Sequence, residues 1–391
     1  MHEVKTIQRD SHGLILPYGG ELKELIIKDQ SQKEKLLSEL TYKHECSERN
    51  ACDVELLMVG AFSPLEGFMN EDEYLSVTEK HRNKNGLLFG LPIVLDTNNT
   101  EISKGDKILL SFKGQSLAVM EIESKWEPDK SSEAKFCYGT NSIDHPAVKM
   151  IFHERGRFYL GGKIYGFELP KREFPCKTPK EVRSNLPPNY DVVAFQCRNP
   201  IHRAHYELFI NSLSSENVSK EAIVLVHPTC GPTQQDDIPG QVRYQTYKKL
   251  SEEISNKNIH WAFLPYSMHM AGPREALQHM IIRRNYGCTH FIIGRDMAGC
   301  KSSSNGEDFY GPYDAQNFAN QCTTELKMKI VPSKNLVYTK EKGYITAEEA
   351  SEKNFQIMKL SGTEFRKKLR SGEPIPEWFA FKSVVDVLRK S

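Results

Sequence analysis

The chain predicts an α/β protein in three units: a strand-rich N-terminal unit (1–168), a central parallel α/β unit (169–325) and a small C-terminal α/β unit (326–391). Two patterns carry this. Short apolar runs at Asp191–Phe195, Ala222–Val226, Ile259–Phe263 and His290–Ile293 alternate with helical stretches at His202–Leu213, Gln241–Asn256 and Arg274–Asn285. Parallel strands need long crossovers, so the alternation implies a parallel sheet with ligands outside the carboxyl ends of its strands. Earlier, Leu91–Leu95, Lys107–Ser111 and Ser116–Met120 are separated by Asn-, Gly- and Lys-rich turns, the spacing of a small β-barrel. A helix over Glu71–Lys84 precedes them, and the proline-rich segment 168–179 reads as a linker. The last unit carries a loop and helix from Ser361, with Thr363 as the expected N-cap.

Bulk properties bound the function. The 391 residues are 39% hydrophobic and 26% charged, with a formal net charge of +1, so any anion site must be local. No apolar run of about 18 residues is present, so no membrane partner is expected. The N-terminus, Met-His-Glu-Val-Lys, lacks a signal-peptide core. The nine scattered cysteines contain no CxxC pair and favour reduced thiols. The expected compartment is cytoplasmic, or plastid if a eukaryotic precursor was trimmed. Near-neutral charge also argues against a nucleic-acid partner.

Residues 191–205 are the most informative stretch. An apolar run ends in the turn Gln196-Cys197-Arg198-Asn199, and Pro200 can open a helix. His202 and His205 then share one face. Free N–H groups, the helix dipole, Arg198 and two imidazoles converge there, an arrangement suited to a polyphosphate. Three other segments fall at strand ends. In Gly294-Arg295-Asp296-Met297-Ala298-Gly299 a glycine permits close backbone approach, an arginine offers an anion fork, and an aspartate can accept from a ribose hydroxyl. Met270–Ala276 opens a helix through Pro273, and His227–Pro239 reads as a lid.

Gln-x-Arg-Asn-Pro-x-His-Arg-Ala-His, Met-Ala-Gly-Pro-Arg-Glu-Ala, Gly-Arg-Asp-x-Ala-Gly and Asp308-Phe-Tyr-Gly-Pro-Tyr-Asp-Ala-Gln together resemble the ATP sulfurylase (sulfate adenylyltransferase) family. Gly60–Met69, Ser361-Gly-Thr and Pro376–Phe379 extend the resemblance over essentially the whole chain. It implies a PUA-like β-barrel domain, a Rossmann-type nucleotidyltransferase domain and a small third domain, in a form without a fused adenylylsulfate kinase. The implied reaction joins ATP and sulfate into adenosine 5′-phosphosulfate and diphosphate, by in-line attack at the α-phosphate without a covalent intermediate. Sulfate is already deprotonated, so the site must work by positioning and charge neutralisation. By resemblance, Gln196, Arg198, Arg295 and the backbone of Ala298 hold sulfate. Gln196, Asn199, His202, His205, Gly294, Arg295, Asp296, Met297 and Leu336 hold ATP, and Cys197, Arg198, Asn199, His202 and His205 form the catalytic set. Mg2+ accompanies ATP without a protein carboxylate cage, and a homo-oligomer, a dimer favoured, is expected.

Cys197 stands where the family usually has Thr, Met297 where it has His, and Cys300 where Pro is common. Gln234 and Asp236 lie near a customary Lys and Gly, and Ser333 replaces a Phe of some members. These changes soften the nucleotide contacts more than the sulfate contacts. They leave open a non-catalytic paralogue that binds nucleotide or sulfate, and an adenylyltransferase acting on a mononucleotide, although the latter does not explain Arg198 and Arg295 together.

Overall fold

A computed structural model describes residues 6–234 and 237–391. Residues 1–5, read above for a leader, and Asp236 of the expected lid lie outside the described residues.

The N-terminal unit is built on β1 (Tyr42–Glu45), β2 (Gly67–Phe68), β3 (Leu95–Thr97), β4 (Lys107–Phe112), β5 (Gln115–Trp126) and β6 (Phe158–Gly166). They form one six-stranded sheet, β1-β4-β5-β6-β2, with β3 also on β6; β1 and β4 run parallel and the other pairs antiparallel. β4 and β5 join through Lys113-Gly114, both at positive φ (49° and 76°), which matches the right-handed twist of a tight hairpin. The expected strand at Leu91–Leu95 pairs only from Leu95 onward, because the Gly90 and Leu91 N–H groups bond Gln278 Oε1 (3.1 and 3.2 Å) instead of a neighbouring strand. The expected helix 71–84 stops at Lys80, where His81 turns left-handed (φ 59°).

The central sheet contains β7 (Asp191–Phe195), β8 (Ala222–Val226), β9 (Ile259–Trp261), β10 (His290–Ile293) and β11 (Lys329–Pro332), all parallel, in the order β11-β10-β7-β8-β9. The fifth strand comes from beyond residue 325, where the central unit was expected to close. β7 buries both faces: Val192 and Ala194 join a core continuous with Phe62 and Leu110 of the N-terminal unit, while Val193 and Phe195 pack with Phe209, Tyr247 and Val384. From β7 the chain moves outward through β8 and β9, then returns to lay β10 and β11 on the other side. The order therefore reverses between β7 and β10, and a crevice opens outside their carboxyl ends.

Two of the crossover helices differ sharply. The helix Arg203–Ser212 starts after His202, whose φ −94°, ψ 172° keeps the chain extended, so Pro200 precedes the helix instead of opening it. The helix Pro273–Asn285 is buried from Arg274 to Asn285 because the N-terminal unit covers its outer side. There Arg274 bonds the carbonyls of Val77 (2.7 Å), Thr78 (3.0 Å) and Gly90 (2.6 Å), and Asn285 bonds Ala61 O (2.9 Å) and Ser63 O (3.1 Å). The Gly60–Met69 motif is thus a clamp between units.

β12 (Leu336–Thr339), β13 (Gly343–Thr346) and β14 (Ile357–Met358) form a small antiparallel sheet, β13-β12-β14. The helix Gly362–Ser371 is capped by Ser361, not Thr363: Ser361 Oγ accepts from Glu364 N–H (3.2 Å) and Glu364 Oε2 accepts from Ser361 N–H (2.9 Å). Among the described residues no helix is long and apolar enough to cross a membrane, and all nine cysteines are free thiols.

Candidate active site

The turn leaving β7 is braced from inside the protein. Arg243, 2% exposed, donates to Arg198 O (3.1 Å), Thr229 O (2.7 Å) and Gly231 O (3.0 Å). Tyr247 Oη donates to Asn199 O (2.9 Å), and Thr229 N–H donates to Cys197 O (2.9 Å). Gln196 is held at both ends of its amide, with Nε2 donating to Thr229 Oγ1 (3.0 Å) and Oε1 accepting from Arg283. Arg198 keeps 20% exposure and pairs with Asp237, whose other carboxylate oxygen is buried without a partner among the described residues. An incoming anion therefore competes with Asp237 for this guanidinium.

The two histidines separate into different roles. His205 Nδ1 accepts from His202 N–H at 3.1 Å, so the proton of the neutral ring belongs on Nε2, which makes that nitrogen a donor. His202 stacks on His205 (centroids 5.8 Å, 22°) but also packs against Phe365 (5.1 Å) and Phe379 (5.0 Å) of the C-terminal unit. Burial pushes both imidazoles down to about 4, with the neighbouring ring adding to the effect at His202. Both are neutral at physiological pH: the His205 ring acts through a hydrogen bond and the His202 ring through packing.

The turn leaving β10 is held by its own backbone. Asp296 (φ 57°) and Ala298 (φ 51°) both lie in the left-handed region, unusual for residues with a Cβ. Asp296 N–H donates to Pro312 O (2.9 Å) and Ala298 O accepts from Gly272 N–H (3.0 Å). Gly272 belongs to the Met270–Ala276 motif, where Glu275 accepts from the N–H groups of His269 (2.8 Å) and Ala271 (2.9 Å). That motif therefore supports the Ala298 turn. Within the protein an added Cβ at Gly294 would meet only Ser333 Oγ, at 3.7 Å, so the open space beside it faces the cavity and not a packed neighbour. Arg295 is 57% exposed and pairs with Asp296 at 3.3 Å.

A cavity of about 400 Å3 lies where these turns meet. Gln196, Cys197, Arg198, Asn199, His205, Gly294, Arg295, Asp296, Met297, Ala298 and Leu336 all line it. His202 does not, because its ring turns to the C-terminal aromatics. Ser333 to Leu336 complete the wall from the end of β11. An open cleft of about 1050 Å3 shares Arg198, Arg295, Asp296 and Met297, and its outer wall includes Asp308, Tyr310 and Gly311 of the Asp308–Gln316 motif. Sequence reasoning missed Arg243 and Arg283, and placed Thr229 and Asp237 only within the expected lid. The two arginines lie in helical segments that read as ordinary polar faces, and only their burial marks them.

The ATP-sulfurylase family profile matches residues 175–391, and a PUA-like domain profile matches residues 15–169. A sulfate adenylyltransferase of Schizosaccharomyces pombe is 41% identical over 384 residues, covering 95% of this chain and 77% of that protein. One from Kluyveromyces lactis is 40% identical over 390 residues, covering 96% and 76%. The chain belongs to the ATP-sulfurylase family. A solved structure, the hexameric APS kinase from Thiobacillus denitrificans, shares the fold with a TM-score of 0.76 at 24% identity, over 96% of this chain and 68% of that one.

Against the ATP-sulfurylase pattern, the two substitutions at the cavity behave differently. Burial raises the Cys197 thiol to about 12, which keeps it protonated at neutral pH and makes it a poor nucleophile. Met297 packs against the main core while lining the cavity, presenting a thioether where an imidazole is customary.

Proposed function

We infer that this protein is a sulfate adenylyltransferase, converting ATP and sulfate to adenosine 5′-phosphosulfate and diphosphate in either direction. The observation that carries the reading is the meeting of Gln196, Arg198, Arg295 and the Ala298 turn with Asn199, His205 and Leu336 around one cavity at the sheet's reversal point. Gln196, Arg198, Arg295 and the Ala298 N–H hold sulfate. Asn199, His205 and the Gly294–Met297 turn hold the phosphates, and Leu336 lies against the base. His205 donates from Nε2 as charge moves to the leaving diphosphate. His202 acts by fixing His205 and by seating the C-terminal unit.

Sulfate attacks the α-phosphate directly. No general base is required, since the nucleophile carries no proton to remove, and the protonated Cys197 offers no covalent route. Catalysis rests on holding two anions in line and neutralising their repulsion. Mg2+ enters with ATP as part of the substrate. Among the described residues lining the cavity, Asp296 supplies a carboxylate beside the place such a complex would occupy.

The N-terminal sheet is read as a closed PUA-like barrel, and the chain as three units in which the central sheet takes β11 from beyond residue 325. A homodimer in the cytoplasm, or in a plastid, completes the proposal. Purified protein should release diphosphate from MgATP only when sulfate is added, with molybdate competing. No release would overturn the assignment in favour of a non-catalytic nucleotide-binding paralogue, and release independent of sulfate in favour of a different ATP-cleaving activity.

A further inference from the structure

Arg283 lies on the helix Pro273–Asn285 and is fully buried. Its guanidinium donates to Gln196 Oε1 and to His227 O (2.8 Å), and its other terminal nitrogen meets His279 Nδ1 at 2.6 Å. Burial lowers it to about 10, and among the described residues it forms no ion pair with a carboxylate. If packing alone mattered, an apolar side chain would serve the fold better at such a position.

A guanidinium has donors only. Its contact with Gln196 therefore settles which end of that amide is oxygen, an orientation that Thr229 cannot settle because a hydroxyl both donates and accepts. With Oε1 turned inward, the Gln196 NH2 group faces Cys197 O (3.2 Å) and Met268 Sδ (3.7 Å), two residues of the cavity wall. We propose that Arg283 is a positioning residue for the acceptor anion, locking Gln196 with its NH2 toward the sulfate side and placing a buried positive charge behind it. This rests on the reading that Gln196 holds sulfate.

The test is steady-state diphosphate release, with KM measured separately for sulfate and for ATP, in the wild type, Arg283→Gln, Arg283→Lys, Gln196→Ala and the double variant Arg283→Gln/Gln196→Ala. Sulfate KM should rise about tenfold in Arg283→Gln while ATP KM stays within about twofold. The double variant should be no worse than Gln196→Ala, because the arginine acts through that amide. Arg283→Lys keeps the charge but not the planar fork, and should show a smaller rise confined to sulfate. It carries the same test if Arg283→Gln does not fold. An equal rise in both constants, an unmoved sulfate KM, or fully multiplicative losses in the double variant overturn the proposal while leaving the functional assignment standing. A wild type inactive with sulfate overturns the assignment itself, and the proposal with it.

Discussion

The turn at 196–199 is pinned from the protein interior, whereas the turn at 294–299 is pinned by its own backbone. Arg243, Arg283, Tyr247 and Thr229 reach the first from buried positions and leave Arg198 only 20% exposed. The second relies on two left-handed residues and main-chain bonds to Pro312 and Gly272, and its Arg295 stands 57% exposed. One side of the cavity is thus organised before any ligand arrives. The other keeps its arginine free to reorient, with most of its charge screened by water until substrate covers it.

The comparison is broken most directly by deleting each arginine. Arg198→Ala should lower kcat/KM for sulfate at least ~100-fold, about 2.7 kcal/mol, with the fold retained and the melting temperature lowered by loss of the Asp237 pair. Arg295→Ala should cost about tenfold, since an exposed guanidinium contributes less. Equal losses would show that the two turns are equally organised. Near-normal turnover in Arg198→Ala would refute its sulfate role.

Backbone strain in the second turn is the next lever. Ala298→Val puts a β-branched side chain at φ 51°, and should destabilise the fold by ~1–2 kcal/mol and raise sulfate KM. Thermal melts and sulfate titrations check both effects; an unaltered melt would remove strain from the description of this turn.

Acid should act on the helix beside the first turn. His202 and His205 are held near 4 in the fold against about 6.5 in an unfolded chain. Between these values the unfolded state binds more protons, so the stability these rings contribute is complete above pH 6.5 and is lost as pH falls through 4. Melting temperature should drop over that window, and His205→Gln should flatten the slope. A slope identical to wild type would mean that the buried imidazoles elsewhere carry the whole effect.

The smallest expected effect tests the softened nucleotide side. Met297→His should lower the KM for ATP about threefold, with sulfate KM unchanged, by restoring a hydrogen-bonding side chain to the second turn. Identical constants would show that Met297 already meets the nucleotide as well as an imidazole would.

Much of this site was readable in the chain because strand ends announce themselves. Asp191–Phe195 and His290–Ile293 are short apolar runs, each followed at once by a turn rich in Arg, Asn, Asp or Gly, and both turns line the cavity. Less readable was anything that depended on a partner distant in sequence. Pro200 is compatible with opening a helix, yet the chain stays extended through His202, whose ring meets Phe365 and Phe379. Leu91 is strand-like by composition, but its N–H bonds the side chain of Gln278. Thr363 and Ser361 are both competent caps, and Glu364 decides between them by closing a reciprocal pair with Ser361. β11 went unread because Lys329–Pro332 is a short run with a lysine at one end and a proline at the other, and its pairing partner β10 lies distant in sequence.

By itself the amino-acid sequence determined the local chemistry of the site: a parallel sheet from the alternation of apolar runs and helices, and the residue types in the two turns at its strand ends. These are short-range properties, set by side-chain periodicity and by what Gly, Pro and Arg allow locally. Only the tertiary structure decided which helix is buried on all sides, that Arg283 and Arg243 face inward, that Asp237 closes on Arg198, and that His202 belongs to the C-terminal unit's aromatic contact. A charged side chain reads the same in sequence whether water or a carbonyl receives its hydrogen bonds. Burial alone separates the two, and burial belongs to the whole fold.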